Sequence, residues 1–110
     1  AAISREEAFA PVVVLESYRT YEDGLDAVND SKFGLQAGVF TQNMGRIMRA
    51  SEEIQVGGLQ VNDVSTFRVD QMPYGGVKGS GIGREGPRYA IEEMTESRLM
   101  VLNLGNTVET

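Results

Sequence analysis

Hydrophobic and polar positions along this chain switch between a period of two and a helical period, and the switches mark its elements. Val12-Val13-Val14-Leu15 is a β-branched run behind Pro11, which predicts a buried strand continuing to Tyr18. Thr20 followed by Asp23 has the spacing of a capping box, in which each residue's side chain accepts from the other's backbone N–H. It opens a helix through about Asp30 with Leu25, Ala27 and Val28 inward, and Gly34 ends that unit. Ala37 to Thr41 reads as a second short strand. Asn43 suits an N-cap, and Met44, Ile47, Met48 and Ile54 then recur at helical spacing, with the two methionines as core filling. Gly57-Gly58 marks a turn or close approach, after which Leu59-Gln60-Val61 forms a third strand ending near Asn62.

Asp63 to Met72 has no period and is expected to be a loop. Pro87 suits the first turn of a helix, whose apolar side is Tyr89, Ala90, Ile91 and Met94, with Glu92, Glu93 and Glu96 outside. Arg98 to Leu104 reads as a final strand, apolar on both faces and in want of a partner edge, and Gly105 to Thr110 as a frayed tail. The order is therefore β-α-β-α-β-loop-α-β, an α/β class. Helical crossovers imply parallel pairing of the first three strands in a mostly parallel sheet.

Composition narrows the chemistry. With 110 residues the chain holds one domain at most, and 41% hydrophobic with 24% charged residues is ordinary for a globular protein. A net charge of −6 argues against nucleic acid as a partner, because phosphates need a basic face. No apolar run reaches the length of a membrane span, and the start has no signal-peptide pattern. The absence of Cys and His excludes disulfides, thiolate nucleophiles, Ser-His-Asp chemistry and the usual zinc sites. What remains is carboxylates, Lys, Tyr, hydroxyls and backbone groups, so no catalytic residue and no metal site is assigned to these 110 residues.

The stretch from Pro73 to Gly86 has six glycines in fourteen residues. Such density fits a backbone that needs positive φ or lies close against something else. Gly81-Ile82-Gly83-Arg84-Glu85-Gly86 matches G-x-G-x-x-G literally. A dinucleotide fingerprint also needs a strand directly before it and an acidic residue about 20 positions later. Gly76 to Ser80 reads as no strand and the later position falls among Leu102-Asn103-Leu104, so that reading is rejected.

Five motifs in order carry a family resemblance. They are Glu6-Glu7-Ala8-Phe9-Ala10-Pro11-Val12, Phe33 through Thr41, Gly57 through Asn62, Pro73 through Gly86, and Met94-Thr95-Glu96. Together they resemble the C-terminal portion of the NAD(P)-dependent aldehyde dehydrogenase superfamily, over nearly the whole chain. The resemblance implies a partial catalytic domain across residues 1–97 and an oligomerisation strand at 98–104. It also implies NAD or NADP as cofactor, a small aldehyde as substrate, a homo-oligomer and a cytoplasmic location.

Roles follow residue by residue from the same resemblance. Glu7 matches the glutamate that accepts hydrogen bonds from the nicotinamide ribose, a suitable task for an acceptor-only carboxylate, while Glu6 reads as a solvated surface charge. Phe9 matches the aromatic beside the nicotinamide, and Ala10 replaces the motif's usual glycine. Asn62, Phe67, Arg68 and Tyr74 fall along the substrate channel and its entrance loop. The wording of residues 62–76 is similar to the branch acting on lactaldehyde, glyceraldehyde phosphate or phosphonoacetaldehyde. Arg68 then grips a carboxylate or phosphate; the alternative is that it pairs with Asp70 or Asp63 in a surface loop.

The family reaction runs through a cysteine thioester, hydride transfer to NAD(P)+ and hydrolysis. The chain has no cysteine, so on its own it is expected to be inert: a fragment of the oxidoreductase, with a non-enzymatic oligomerisation module of the same fold as the alternative. A third reading, a small phosphate-binding domain built on the glycine segment, is the least favoured.

Overall fold

The computed structural model describes residues 2–105. After a 3-10 turn at Ala2–Ser4 come α1 (Tyr21–Asn29), β1 (Phe33–Gly34), β2 (Gln36–Val39), α2 (Met44–Glu53), β3 (Gly58–Val61), β4 (Val77–Lys78) and α3 (Pro87–Met94). All three helices start where their capping residues require. Thr20 accepts from the backbone N–H of Asp23 while Asp23 accepts from that of Thr20, a complete capping box. The Asn43 side chain accepts from Arg46 N at 3.0 Å and opens α2. Pro87 occupies the first turn of α3, where its missing N–H costs nothing.

The sheet differs from expectation. β2 and β3 pair in parallel, from Gln36 opposite Gly58 to Val39 opposite Val61, joined through α2 as a right-sized crossover. A separate antiparallel pair sets Phe33 opposite Lys78 and Gly34 opposite Val77. Val77–Lys78, read above as no strand, is therefore a strand of two residues. It is antiparallel and belongs to no βαβ unit, so the dinucleotide fingerprint still lacks its context.

Two expected strands do not form among the described residues. Val12–Tyr18 and Arg98–Leu104 carry no strand pairing, because a strand needs a neighbour to satisfy its backbone groups and none lies within reach here. Their side chains are correspondingly open: Leu15 is 89% exposed and Leu99 86%. Of the tail expected to fray, residues 106–110 lie outside the described residues.

The core is narrow. Leu25 of α1 and Ala50 of α2 are buried, and Ile47 and Ile54 are half-buried on the same side of α2 as Ala50. Ala27 and Val28 of α1, expected inward, are exposed, as are Met44 and Met48, expected in the core. Ile91 and Met94 on the intended apolar side of α3 are exposed too. The accessible surface is 9452 Å², where a compact monomer of this size shows about 6,000 Å². The Cα radius of gyration is 21.6 Å, against about 13 Å for a compact domain of this length. The described residues thus leave far more apolar surface uncovered than a compact domain of this length does.

Polar ties hold the helices together where packing is thin. The Tyr21 hydroxyl donates to Arg46 O at 2.7 Å, and Asn29 bridges the ends of α1 and α2 by donating to Glu53 O and accepting from Gln55 N. Arg49 pairs with both Glu22 of α1 and Glu53 of its own helix. These hydrogen bonds hold Arg49 in its charged form more firmly than usual, the bond to Glu53 contributing most. The Glu22 carboxyl is held below its ordinary range, first by a backbone hydrogen bond at Glu22 and then by Arg49.

Candidate functional site

The glycine segment is the hub of the site. Its backbone lies so close to its neighbours that a Cβ on Gly57 would collide with the Gly75 carbonyl. Tyr74 and Glu85 exchange backbone hydrogen bonds, Tyr74 N to Glu85 O at 3.1 Å and Glu85 N to Tyr74 O at 2.6 Å, which folds the segment back on itself. Gly86 closes this loop at φ 119°, a conformation L side chains adopt only under strain. Arg84 braces the loop from within by donating to the carbonyls of Gly76 and Gly83, and its own N–H donates to Glu93. Glu93, expected on the outer face of α3, thus turns back onto the glycine segment. Ser80 Oγ accepts from Gly34 N at 2.9 Å and fastens the loop to β1.

Arg68 arrives at this hub from the irregular stretch between β3 and Tyr74. Its guanidinium carbon lies 4.1 Å from the Tyr74 ring centroid, and its Nη2 donates to Glu85 Oε2 at 2.8 Å. Neither Asp70 nor Asp63 is its partner; Asp63 instead accepts from Val64 N. Both contacts are modest, since Arg68 and Glu85 are 42% and 67% exposed. A cation over an exposed ring contributes about 0.5–1 kcal/mol, and an exposed ion pair about 0–1 kcal/mol. Tyr74 and Glu85 also line a cleft of about 370 Å³ together with Ser80, Arg84 and Glu93.

The other expected substrate residues stand apart from this pair. Asn62, at φ 58°, ends β3, and its Oδ1 accepts from Thr41 N at 2.8 Å, which joins the ends of β2 and β3. Phe67, 45% exposed, belongs to a turn in which its N–H donates to Val64 O.

Glu7 and Phe9 occupy the stretch before Val12. Glu7 lines a second cleft, about 430 Å³, with Phe33, Leu35, Gly79 and Ser80. Among the described residues its carboxylate makes no hydrogen bond, so both oxygens are open to donors. Its neighbour Glu6 is not a merely solvated charge: it pairs with Lys32, whose Nζ also lies 5.3 Å from the Phe33 ring centroid. Phe9 is 93% exposed at φ 27° and does not line this cleft.

A further cleft, about 700 Å³ between residues 14–19 and α1, contains none of these residues. It is the gap left beside the unpaired Val12–Tyr18 stretch. Glu85, Lys32 and Arg84 were not legible as site residues beforehand. Only the contact of Glu85 with a residue 17 positions away identifies it.

Comparison with known proteins sets this geometry in context. The pattern of the aldehyde dehydrogenase family matches residues 1–100. The chain is 57% identical over 102 residues to a 3-sulfolactaldehyde dehydrogenase of Priestia aryabhattai, covering 93% of this chain and 21% of that protein. Its fold overlays aldehyde dehydrogenase 21 of Physcomitrella patens, solved with the reaction product succinate, at a TM-score of 0.87 and 40% identity. That overlay covers 94% of this chain and 22% of the other. It also overlays the glyceraldehyde-3-phosphate dehydrogenase GapN of Methanocaldococcus jannaschii, solved with NADP, at 0.79 and 41% identity, over 84% of this chain and 20% of the other. The chain thus spans about a fifth of the length of the proteins it matches. Matched by the family pattern over nearly all its length and similar in fold to solved members, this chain belongs to the aldehyde dehydrogenase family.

Proposed function

We propose that the chain forms the C-terminal wall of an NAD(P)-dependent aldehyde dehydrogenase that oxidises small aldehydes carrying an anionic group. The observation that carries this reading is Arg68, placed over the Tyr74 ring at 4.1 Å in the stretch that the family resemblance assigns to the aldehyde entrance. A guanidinium so placed suits a sulfonate, phosphate or carboxylate. Three relatives support it by name: one acts on 3-sulfolactaldehyde, one on glyceraldehyde 3-phosphate, and one was solved with the dicarboxylate succinate.

The residues present fit the cofactor on one side. The open carboxylate of Glu7 suits two ribose hydroxyl donors, and the exposed ring of Phe9 is available to pack on a planar group. A bound NAD(P)+ supplies the hydride acceptor. The chain's own part is binding: Glu7 orients the ribose, Phe67 and Tyr74 line the substrate side, and Arg68 draws in the anion. Asn62 acts at one remove, by fixing the end of the β2–β3 pair from which the Arg68 stretch departs. The cysteine nucleophile, the water-activating glutamate and the oxyanion donors belong to regions outside these 110 residues, so the isolated chain is inert.

The exposed Val12–Leu15 and Leu99–Leu104 stretches favour a second property of the same protein. Residues 98–104 serve as an assembly strand in a cytoplasmic homo-oligomer, and the isolated chain self-associates through them. Sedimentation of the isolated chain as a monodisperse monomer would contradict this. The enzymatic reading is tested by a graft: the Priestia aryabhattai enzyme with its matching fifth replaced by this chain. Oxidation of 3-sulfolactaldehyde with NAD(P)+ is expected from the graft and none from the 110-residue chain; activity of the short chain alone would refute the division of labour.

A further inference from the structure

We infer that Glu85 is a positioning residue for Arg68 and sets how strongly the site prefers anionic over neutral aldehydes. The inference rests on the reading of Arg68 as the anion contact. Arg68 belongs to a stretch without regular structure, and its long side chain has many rotamers to lose on binding. Two contacts restrict it, the face of Tyr74 and the carboxylate of Glu85. Both come from one unit, because Tyr74 and Glu85 are locked together by reciprocal backbone hydrogen bonds. The guanidinium is therefore oriented by the glycine segment rather than by the irregular stretch that carries it.

Glu85 engages Nη2 alone. Among the described residues Nε and Nη1 of Arg68 make no hydrogen bond, which leaves them as donors for an incoming anion. The carboxylate that holds the guanidinium also offsets part of its charge. Position and charge thus pull in opposite directions, and substitutions separate them. Glu85→Ala removes both the acceptor and the charge. Glu85→Gln keeps an acceptor for Nη2 and removes only the charge.

The test uses the full-length graft and two aldehydes that differ by a sulfonate, 3-sulfolactaldehyde and lactaldehyde. The readout is the ratio of their kcat/KM values, whatever the absolute rates. Glu85→Ala is expected to lower this ratio about fivefold, the size of one exposed ion-pair contact. Glu85→Gln is expected to restore it to the parent value or above. An unchanged ratio in Glu85→Ala, or an equal fall in Glu85→Gln, overturns the inference. Arg68→Met in the same graft separates the two readings. If it leaves the ratio unchanged, the anion contact itself is wrong; if it lowers the ratio while the Glu85 variants do not, only the role of Glu85 fails.

Discussion

Arg68 lies with its guanidinium 4.1 Å from the centre of the Tyr74 ring, six residues further along the chain. The contact sets a surface cation over one ring face. It also makes Tyr74 a contributor to selectivity through its ring face rather than its hydroxyl. Tyr74→Phe keeps that face and is expected to leave the preference for an anionic aldehyde unchanged in the graft enzyme. Tyr74→Leu removes it and is expected to weaken the preference about two- to fivefold, matching the scale of an exposed cation–π contact. Equal losses in both variants would assign the effect to the hydroxyl instead.

The start of α1 depends on Thr20, whose hydroxyl accepts from Asp23 N at 3.1 Å. Thr20→Ala is expected to destabilise the first turn by about 1 kcal/mol. Hydrogen exchange of the amides of Asp23 and Gly24 measures this directly, since local opening limits their protection. Faster exchange confined to that turn is expected; no change would mean that packing of Leu25 alone fixes the helix start.

The ion pairs at Arg49 predict a pH dependence. Folding favours the ionised form of Glu22, because hydrogen bonds from its backbone and from Arg49 lower its pKa. The contribution is complete above the ordinary carboxylate value and is lost as pH falls through the lowered value. Glu22→Gln is expected to lower stability slightly near neutrality, where this exposed pair contributes in full, and to flatten the acid limb of the stability profile by the same amount. An acid limb that persists unchanged in Glu22→Gln would place the titration elsewhere.

Close backbone contact at the glycine hub predicts a steep steric effect. Gly57→Ala puts a Cβ against the Gly75 carbonyl, a backbone group that cannot swing aside. A loss of about 1–3 kcal/mol or more is expected, measured as a lower thermal midpoint of the graft. Retention of the parent midpoint would mean that the segment yields and that its packing is loose.

Local signals were readable in the chain, and distant pairings were not. Thr20, Asn43 and Pro87 each act within one helical turn, so residue type and spacing suffice to locate three helix starts. The β-branched run at Val12–Leu15 is just as plain a signal, yet a strand is a property of two segments, and among the described residues none pairs with it. The same holds for Met44 and Met48, whose helical spacing marks an apolar face but not what covers it. The β1–β4 pair has only two residues per strand, too few to carry a period. The link from Arg68 to Glu85 depends on a fold-back between Tyr74 and Glu85, set by glycines whose turns no local pattern specifies. The family motifs supplied Arg68 and Tyr74 as separate residues, and only the fold makes them one contact.

The central claim is that Arg68 selects an anionic aldehyde, and the graft enzyme carrying Arg68→Met tests it most directly. The measurement is kcat/KM on 3-sulfolactaldehyde divided by kcat/KM on lactaldehyde, in parent and variant graft. Removing a charge-assisted contact is expected to lower that ratio about tenfold or more. A ratio that stays at the parent value would contradict the account.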